Sequence, residues 1–149
     1  MKRIAVISDT HGLLRDEVKE QLIQSDYIIH AGDADTPALL QDICGCGEAF
    51  FVRGNNDKEW AEGLPQNLTF MIDGIRFFLV HNRKDVPDNL SGVDVIIYGH
   101  SHKYTEEWID GVLWINPGSC GRRRFNLDIT MCVMKIKEGR YEIEKITIL

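Results

Sequence analysis

Apolar runs and helix-like repeats alternate along the first third of the chain. Short apolar runs predict buried strands, and between the first two of them Leu14, Val18 and Leu22 recur at helical spacing. A second helix is predicted with Thr36 as its N-cap and Pro37 in its first turn. The predicted strands are 2–8, 27–31 and 49–53, and the predicted helices are 14–22 and 36–44. This β-α-β-α-β order predicts parallel strands joined by right-handed crossovers.

The rest of the chain is dominated by hairpin patterns. Asp73-Gly74 and Asp110-Gly111 each lie between two apolar runs, and such Asp-Gly pairs predict type I′ turns. The predicted strands are 68–72, 75–80, 93–98, 106–109, 112–115, 130–136 and 141–148, with a turn at 137–140. Two mixed sheets packed face to face, with helices outside, accommodate both halves. The segments 57–67, 82–92 and 118–128 are predicted to be irregular loops, which often form the walls of a site.

The composition and charge fit one globular domain that spans residues 1–149. The hydrophobic fraction of 44% is close to the globular norm. No apolar run approaches the roughly 18 residues of a membrane span. The first run, 4–7, is too short for a signal peptide, so we expect a cytoplasmic protein without membrane contact. The net charge of −6 disfavours binding to long nucleic acids, whereas small anionic substrates are acceptable if divalent cations reverse the local field.

Five short polar blocks place potential metal ligands where strand-like runs end. Four of the five histidines fall in these blocks. The blocks are Asp9-Thr10-His11, Gly32-Asp33, Gly54-Asn55-Asn56-Asp57, His81 and Gly99-His100-Ser101-His102. Ligand sites of parallel sheets lie beyond the carboxyl ends of the strands, so we expect the blocks to converge. Their mixed oxygen and nitrogen donors suit a hydrolytic metal centre.

The first two blocks also fit simpler interpretations. If residues 9–11 are extended, Asp9 and His11 point to the same side and can bind one ion, but the same pattern is typical of a capped turn. Asp33 has two carboxylate oxygens and can bridge two ions; alternatively, it is an ordinary turn or helix N-terminal residue. His30 lies within an apolar run, where a hydrogen-bonded core histidine is the expected role.

The later blocks leave similar alternatives. Asn55 offers a carbonyl oxygen to a metal ion, although Gly and Asn are also typical of turns. His81, taken alone, is more typical of a structural histidine. His100 and His102 share one side if they are extended, and two histidines at a strand end favour a metal site. The placement of all five blocks at strand ends is what favours the metal centre.

In this order, the five blocks resemble the motifs of the calcineurin-like metallophosphoesterase superfamily, and the chain is most similar to its small, single-domain bacterial and archaeal phosphodiesterases. The resemblance extends from Asp9 to Ser119 and includes the closing segment Asn116-Pro117-Gly118-Ser119. It implies an α/β fold, a four-layer α/β/β/α sandwich of two mixed β-sheets flanked by helices. It also implies two divalent metal ions, often Mn²⁺, with Ni²⁺, Fe²⁺, Zn²⁺ and Mg²⁺ as alternatives.

The resemblance also implies a ligand set for each ion. The first ion would be held by Asp9, His11 and His102, the second by Asn55, His81 and His100, and Asp33 would bridge them. Two ions roughly 3.5–4 Å apart lower the pKa of a shared water and neutralise phosphate oxygens. The resulting hydroxide attacks phosphorus in line with the leaving oxygen, which predicts a metal-dependent phosphodiesterase that acts on a small diester.

Two positions depart from the family pattern. Many relatives have a His after the ligand Asn, but here that residue is Asn56, whose amide cannot act as a general acid near neutrality. Leaving groups of low pKa should therefore be preferred. The segment His81-Asn82-Arg83 replaces a frequent His-Gly-His, and Arg83 is either a phosphate contact or a solvated surface residue.

Arg122-Arg123-Arg124 follows the closing segment. The three cations form either an anion-binding rim or a solvated loop that contacts another copy of the chain, so the sequence leaves a homo-oligomer open. We take Asn56, Arg83 and Arg122 as candidate substrate contacts. Asp33 and Asn56 are the catalytic candidates.

Two other functions are consistent with the residues. A phosphomonoesterase would use the same chemistry, and a non-catalytic scaffold would share the fold, as a retromer subunit does. Such a scaffold has usually lost some of the metal-ligand residues, whereas every expected ligand position is filled here. The sequence therefore favours a small-diester hydrolase.

Overall fold

Two β-sheets and two short helices make up the computed structural model, which describes residues 1–124 and 126–149. The strands are β1 (Lys2–Ile7), β2 (Tyr27–His30), β3 (Glu48–Phe51), β4 (Asn67–Ile72), β5 (Ile75–Val80), β6 (Val95–Ile97), β7 (Thr105–Ile109), β8 (Val112–Asn116), β9 (Thr130–Lys137) and β10 (Arg140–Thr147). The helices are α1 (Asp16–Ile23) and α2 (Pro37–Cys44), and 3₁₀ turns lie at Glu59–Ala61 and Arg83–Asp85. Every predicted strand and helix is present, with some ends shifted by one or two residues.

Both sheets are mixed, so the predicted α/β fold class is confirmed. The strand order is β10-β9-β1-β2-β3 in the first sheet and β4-β5-β6-β8-β7 in the second. In the first sheet β1, β2 and β3 run parallel, and β9 and β10 continue the sheet in antiparallel fashion. In the second, β5, β6 and β8 run parallel between antiparallel edge strands. Each sheet therefore contains three neighbouring parallel strands whose carboxyl ends meet at one edge.

The main core lies between the two sheets, and the helices close the outer face of the first. Ile4 from β1 and Phe77 from β5 are fully buried in the core between the sheets. Val18 and Leu22 of α1 pack with Ile43 of α2 against the opposite face of the first sheet. Both helices are only eight residues long. Among the described residues, no helix combines the length and the apolar character that crossing a membrane requires.

A loop covers the outer face of the second sheet. Val86 and Leu90 of this loop pack beside Tyr98. The 3₁₀ turn Arg83–Asp85 ends here because Val86 precedes Pro87 and adopts an extended conformation, with φ −73° and ψ 123°. Within residues 1–124 and 126–149, one short turn and a loop thus take the place of the outer helices that the four-layer sandwich implies on this side.

The hairpin turns have left-handed backbone conformations. The φ angles are 46° at Asp73 and 84° at Gly74, and 51° at Asp110 and 80° at Gly111. Positive φ at both central residues defines a type I′ turn, so the turns predicted from the two Asp-Gly pairs are confirmed. These turns match the twist of the strands that they connect.

Candidate metal centre

The seven candidate ligands lie together where the parallel strands end. Those that follow strands of the first sheet are Asp9 and His11 after β1, Asp33 after β2 and Asn55 after β3. Those that follow strands of the second sheet are His81 after β5 and His100 and His102 after β6. The side chains of both sets meet in one cluster. The structure thus brings together residues that are up to 93 positions apart, from 9 to 102.

The loops reach the cluster through left-handed turns. The φ angle is 53° at Asp9 and 47° at His11, and it is 74° at His100 and 64° at His102. The extended conformation considered for these two pairs is therefore wrong, although both pairs converge. The turn after β1 is fixed to the neighbouring loop, because the His11 N–H donates to the carbonyl oxygen of Asp33 at 3.0 Å. Asp and His adopt this conformation more readily than most residues.

Asp9, His11 and His102 form the first group of ligands. The Nε2 atoms of His11 and His102 face each other at 3.2 Å, and Asp9 Oδ1 lies 3.8 Å and 3.4 Å from them respectively. Two imidazole nitrogens at this distance cannot both present lone pairs unless a proton or a cation lies between or beside them. Asp9 is fully buried, and its Oδ1 has no hydrogen-bond partner among the described residues. An unpaired buried carboxylate oxygen beside two imidazoles fits a cation site.

Asn55, His81 and His100 form the second group. Asn55 Oδ1 lies 2.9 Å from His81 Nε2 and 3.2 Å from His100 Nδ1. Asp33 Oδ2 is 3.2 Å from His81 Nε2 and 3.9 Å from His11 Nε2, so its carboxylate stands between the two groups. A ligand shared by two ions would occupy this position.

The donor atoms are close enough to hold divalent metal ions. Within the described residues, the ligand atoms of Asp9, His11 and His102 lie within 4.8 Å of one another, and so do those of Asp9, Asp33 and His81. Carboxylate oxygens and imidazole nitrogens are ligands for several first-row divalent metals, so the donor set admits several metals. The cluster can therefore hold metal.

Hydrogen bonds at the outer nitrogens orient two of the imidazoles. Asp35 Oδ2 lies 2.9 Å from His11 Nδ1, and the carbonyl oxygen of Ala31 lies 2.7 Å from His81 Nδ1. When Nδ1 carries the hydrogen and donates it outward, Nε2 keeps its lone pair for the cluster. Both contacts therefore favour the tautomer that binds a cation through Nε2.

Asp57 supports the loops that follow β2 and β3. Its side chain is buried and accepts hydrogen bonds from the backbone N–H groups of Asp33 at 3.0 Å, Asp35 at 2.9 Å and Gly54 at 2.8 Å. This role was not predicted from the sequence. The available signal was its position as the last residue of a Gly-Asn-Asn-Asp turn, where a carboxylate often accepts from nearby N–H groups.

The closing segment supports the loop that follows β6. The Asn116 side-chain amide donates to the carbonyl oxygen of Gly99 at 3.1 Å and to the hydroxyl of Ser101 at 3.0 Å. The Ser119 hydroxyl donates to the carbonyl oxygen of Asp9 at 2.9 Å. This segment therefore ties the ligand loop of the second sheet to that of the first.

Electrostatic interactions within the cluster set its pKa values. Burial raises the pKa of the Asp9 carboxyl, but the His102 imidazole 3.4 Å away and the charge of His81 outweigh burial and leave this pKa below its ordinary value. Burial also raises the pKa of Asp33, and the hydrogen bond with His81 lowers it below the ordinary value. For His81, burial lowers the pKa, but the hydrogen bond with Asp33 and the charge of Asp9 raise it above the usual range. Both carboxyl groups are thus held in the ionised form, which is the form that binds cations.

Two of the three candidate substrate contacts lie beside the cluster. The Asn56 N–H donates to Asp33 Oδ1 at 2.8 Å, and the Arg122 Nε–H donates to the carbonyl oxygen of His11 at 3.1 Å. Both side chains line a cavity of about 380 Å³ that His11 and His102 also line. They are therefore placed where a bound substrate could reach them.

Arg83 is placed elsewhere. Its guanidinium donates to Glu107 at 2.8 Å and to the Tyr98 hydroxyl at 3.1 Å, and it lies over the ring of Trp114 at 4.8 Å. Tyr98 and Trp114 belong to the outer face of the second sheet. The structure thus does not bring Arg83 to the cluster, because aromatic and ionic contacts hold it on the other side of the sheet.

Known proteins resemble this chain in sequence and in fold. Residues 1–139 match the model of the calcineurin-like phosphoesterase superfamily domain. A protein of Mycoplasma pneumoniae named probable metallophosphoesterase is 33% identical in an alignment that covers 94% of this chain and 93% of the relative. The phosphodiesterase MJ0936 of Methanocaldococcus jannaschii is 31% identical, with coverage of 79% and 84% respectively.

A solved structure of Vps29 from Entamoeba histolytica in complex with zinc has the same fold. It superposes with a TM-score of 0.75 at 18% identity and covers 97% of this chain and 98% of that chain. At this level of identity the likeness concerns the fold alone. The family model and the sequence relatives together carry the assignment: the chain belongs to the calcineurin-like phosphoesterase superfamily.

Proposed function

We propose that this protein is a dinuclear metal-dependent phosphodiesterase that hydrolyses a small phosphodiester. The observation that carries the proposal is the position of the Asp33 carboxylate, which lies 3.2 Å from His81 Nε2 and 3.9 Å from His11 Nε2, between two groups of ligands. The sequence likeness to a protein named phosphodiesterase in Methanocaldococcus jannaschii favours a diester substrate. The proposal takes residues 1–149 as one catalytic domain that acts in the cytoplasm, as the sequence predicts.

The residues would divide between two ions as the family resemblance implies. The first ion would be held by Asp9, His11 and His102, the second by Asn55, His81 and His100, with Asp33 shared. Manganese is the proposed metal in both sites. A pair of divalent ions would supply a water molecule of lowered pKa and positive charge for the phosphate oxygens.

The chain itself contributes orientation and hydrogen bonds. Asp35 and the carbonyl oxygen of Ala31 fix the rings of His11 and His81, so the ligands need little rearrangement when substrate binds. The Asn56 amide lines the adjacent cavity and can donate a hydrogen bond to a phosphate or leaving-group oxygen. It cannot deliver a proton near neutrality, so esters whose leaving groups need no protonation should react fastest.

Hydrolysis of bis-p-nitrophenyl phosphate tests this function. We expect turnover with added Mn²⁺, loss of turnover with a chelator and recovery when Mn²⁺ is restored. Asp33→Ala should lower the rate at least about a hundredfold, whereas Asp88→Ala, in an exposed loop, should leave the rate unchanged. Absence of turnover with every divalent ion tested would count against catalysis and leave the non-catalytic scaffold.

Parallel assays with p-nitrophenyl phosphate separate the diesterase from a phosphomonoesterase. Both substrates release the same leaving group, so their ratio of kcat/KM reports the preference of the site for one or two ester bonds. A higher value for the monoester would replace the proposed diesterase by the monoesterase alternative.

A further inference from the structure

The cavity beside the first ligand group has a strongly basic wall. It has a volume of about 380 Å³, within the range of small-ligand pockets. His11 and His102 form the side next to the cluster, and Asn56 lies at the edge of the second ligand group. The remaining lining consists of Arg122, Arg123 and Arg124 and one acidic residue, Asp35, whose carboxylate lies 2.9 Å from His11 Nδ1. A ligand that occupies this cavity lies beside the candidate metal cluster and within reach of arginine side chains.

The loop that carries the arginines is fastened to the loop that carries Asp9 and His11. The Arg122 Nε–H donates to the carbonyl oxygen of His11 at 3.1 Å, and the Cys120 N–H donates to that of Ser8 at 3.3 Å. Gly121 packs so closely that an added Cβ would lie 1.9 Å from the carbonyl oxygen of Thr10. These contacts hold the base of the arginine loop at a fixed place beside the candidate metal site.

The three side chains retain capacity to bind an anion. Arg122 uses its Nε–H internally, and Arg123 donates to the carbonyl oxygen of Leu127 and lies 3.9 Å from Asp128. The Arg124 carbonyl oxygen accepts from the Leu127 N–H at 3.3 Å, but its guanidinium makes no hydrogen bond or ion pair with residues 1–123 or 126–149. All three are exposed in a chain whose net charge is −6. Three arginines outnumber the nearby carboxylates of Asp35 and Asp128, so the net local charge beside the cluster is positive although the protein as a whole is acidic.

A simple phosphodiester does not need this focus. It carries one negative charge, and two divalent cations would still balance that charge after the carboxylates of Asp9 and Asp33 and one hydroxide are counted. Guanidinium groups bind phosphate through two parallel hydrogen bonds, and a phosphate monoester offers two charges and three oxygens. The arginine wall therefore matches a second anionic group on the substrate better than it matches the scissile group.

We propose that Arg122, Arg123 and Arg124 bind a second phosphate group of the substrate, so that the natural substrate is a small phosphodiester that also carries a phosphate monoester. This inference rests on the proposed phosphodiesterase function. The scissile diester lies at the metal cluster, and the second phosphate lies in the cavity next to His11 and His102.

A pair of nucleotides that differ by one phosphate tests the inference. Adenosine 5′-monophosphate and adenosine 3′,5′-bisphosphate are titrated into the Mn²⁺-loaded protein by calorimetry and compared as inhibitors of bis-p-nitrophenyl phosphate hydrolysis. We expect the bisphosphate to bind about tenfold more tightly, the gain of one charge-assisted contact. Arg124→Ala should remove most of this preference, and Arg124→Lys, which keeps the charge but not the planar fork, should restore part of it.

Arg140→Ala is the matched control, since Arg140 begins the last strand at the end of the first sheet opposite the cluster. It removes the same charge and should keep the full preference for the bisphosphate. Equal affinities for the two nucleotides, or a preference that survives Arg124→Ala and Arg122→Ala together, would overturn the inference. Calorimetry measures binding without turnover, so the two failures can be told apart. Absence of diester hydrolysis by the wild-type protein would refute the proposed function, whereas the calorimetric comparison tests only the second phosphate.

Discussion

Asp57 is buried between the loops that follow β2 and β3, and its carboxylate accepts hydrogen bonds from the N–H groups of Asp33, Asp35 and Gly54. Asp33 and Asp35 have φ angles of 64° and 74°, a region that residues other than glycine adopt infrequently, although Asp does so more readily than most. Such conformations persist only where surrounding contacts hold them. The three hydrogen bonds to one carboxylate are among the contacts that hold this loop, together with the bond from the His11 N–H to the Asp33 carbonyl oxygen.

Asp57→Asn should therefore weaken both the fold and the metal site. The amide has one acceptor oxygen instead of two, and its NH₂ group faces backbone N–H donors. We expect the free energy of unfolding in urea to fall by about 2–4 kcal/mol, and the affinity for Mn²⁺ to fall because the Asp33 loop is released. Asp88→Asn, in an exposed loop, is the control and should change stability by less than about 0.5 kcal/mol. Equal stability of the two variants would refute the supporting role of Asp57.

His30 is a hydrogen-bonded core histidine, as the sequence predicts. Its ring is fully buried; the Gly32 N–H donates to Nδ1 at 3.0 Å, so Nε2 carries the hydrogen and donates to the Thr10 hydroxyl at 3.0 Å. Burial, opposed by the charge of Asp57, lowers the pKa of His30 to about 4. In the unfolded chain the pKa of His30 is near its ordinary value of 6.5. Between pH 4 and pH 6.5 the unfolded state therefore binds more protons than the folded state.

The neutral ring should therefore stabilise the fold above pH 6.5, and this contribution of about 3 kcal/mol should be lost as the pH falls towards 4. Nitrogen NMR shifts of the His30 ring isolate it from the other titrating groups. We expect the neutral Nε2–H tautomer to persist at pH 5.5. A titration midpoint near 6.5 would contradict the assignment.

The elements explain why the ligands could be predicted from the sequence. Apolar runs that end in polar blocks predict strands, and parallel neighbours bring those ends to one edge; β1, β2 and β3 do this in the first sheet, and β5 and β6 in the second. The turns of the loops could not be predicted, because the positive φ angles of Asp9 and His100 depend on hydrogen bonds from other segments. For the same reason the role of Asp57 was missed and the two alternatives for Arg83 stayed open, since partners distant in sequence determine their contacts.

Close packing of the loops makes Gly54 a sensitive position. A Cβ at Gly54 would lie 2.1 Å from Asp33 Oδ1 and 2.4 Å from the Asp33 nitrogen, whereas a Cβ at Gly63 would meet no atom within 4 Å. Gly54→Ala should therefore displace the proposed bridging carboxylate and lower diester hydrolysis at least about tenfold, and it should reduce the thermal stabilisation by Mn²⁺. Gly63→Ala is the matched control and should retain both. If Mn²⁺ stabilises Gly54→Ala against heat as much as it stabilises the wild-type protein, the close approach of these two loops is not required for metal binding.

At the scale of the whole molecule, the cluster joins the two sheets. Four candidate ligands follow strands of the first sheet and three follow strands of the second. Away from the cluster and the closing segment, the sheets meet through apolar side chains such as Ile4 and Phe77. Apolar packing alone is not directional, whereas ligands from both sheets fix one relative placement. A bound metal pair would therefore act on the global unfolding of the protein and not only on the local loops.

Metal binding should accordingly raise the stability of both sheets together. A metal that binds only the folded state at a free concentration of 100 times its Kd adds about 2.7 kcal/mol per site. We expect Mn²⁺ to raise the free energy of unfolding in urea by this order, and to slow amide hydrogen exchange equally in β1 of the first sheet and β5 of the second. In Asp33→Ala the increment should largely disappear, while Asp88→Ala should keep it. Amide exchange through global unfolding slows only when the whole folded state gains stability. If Mn²⁺ slows exchange only in the loops at the ends of the strands, the ions order the site without joining the sheets.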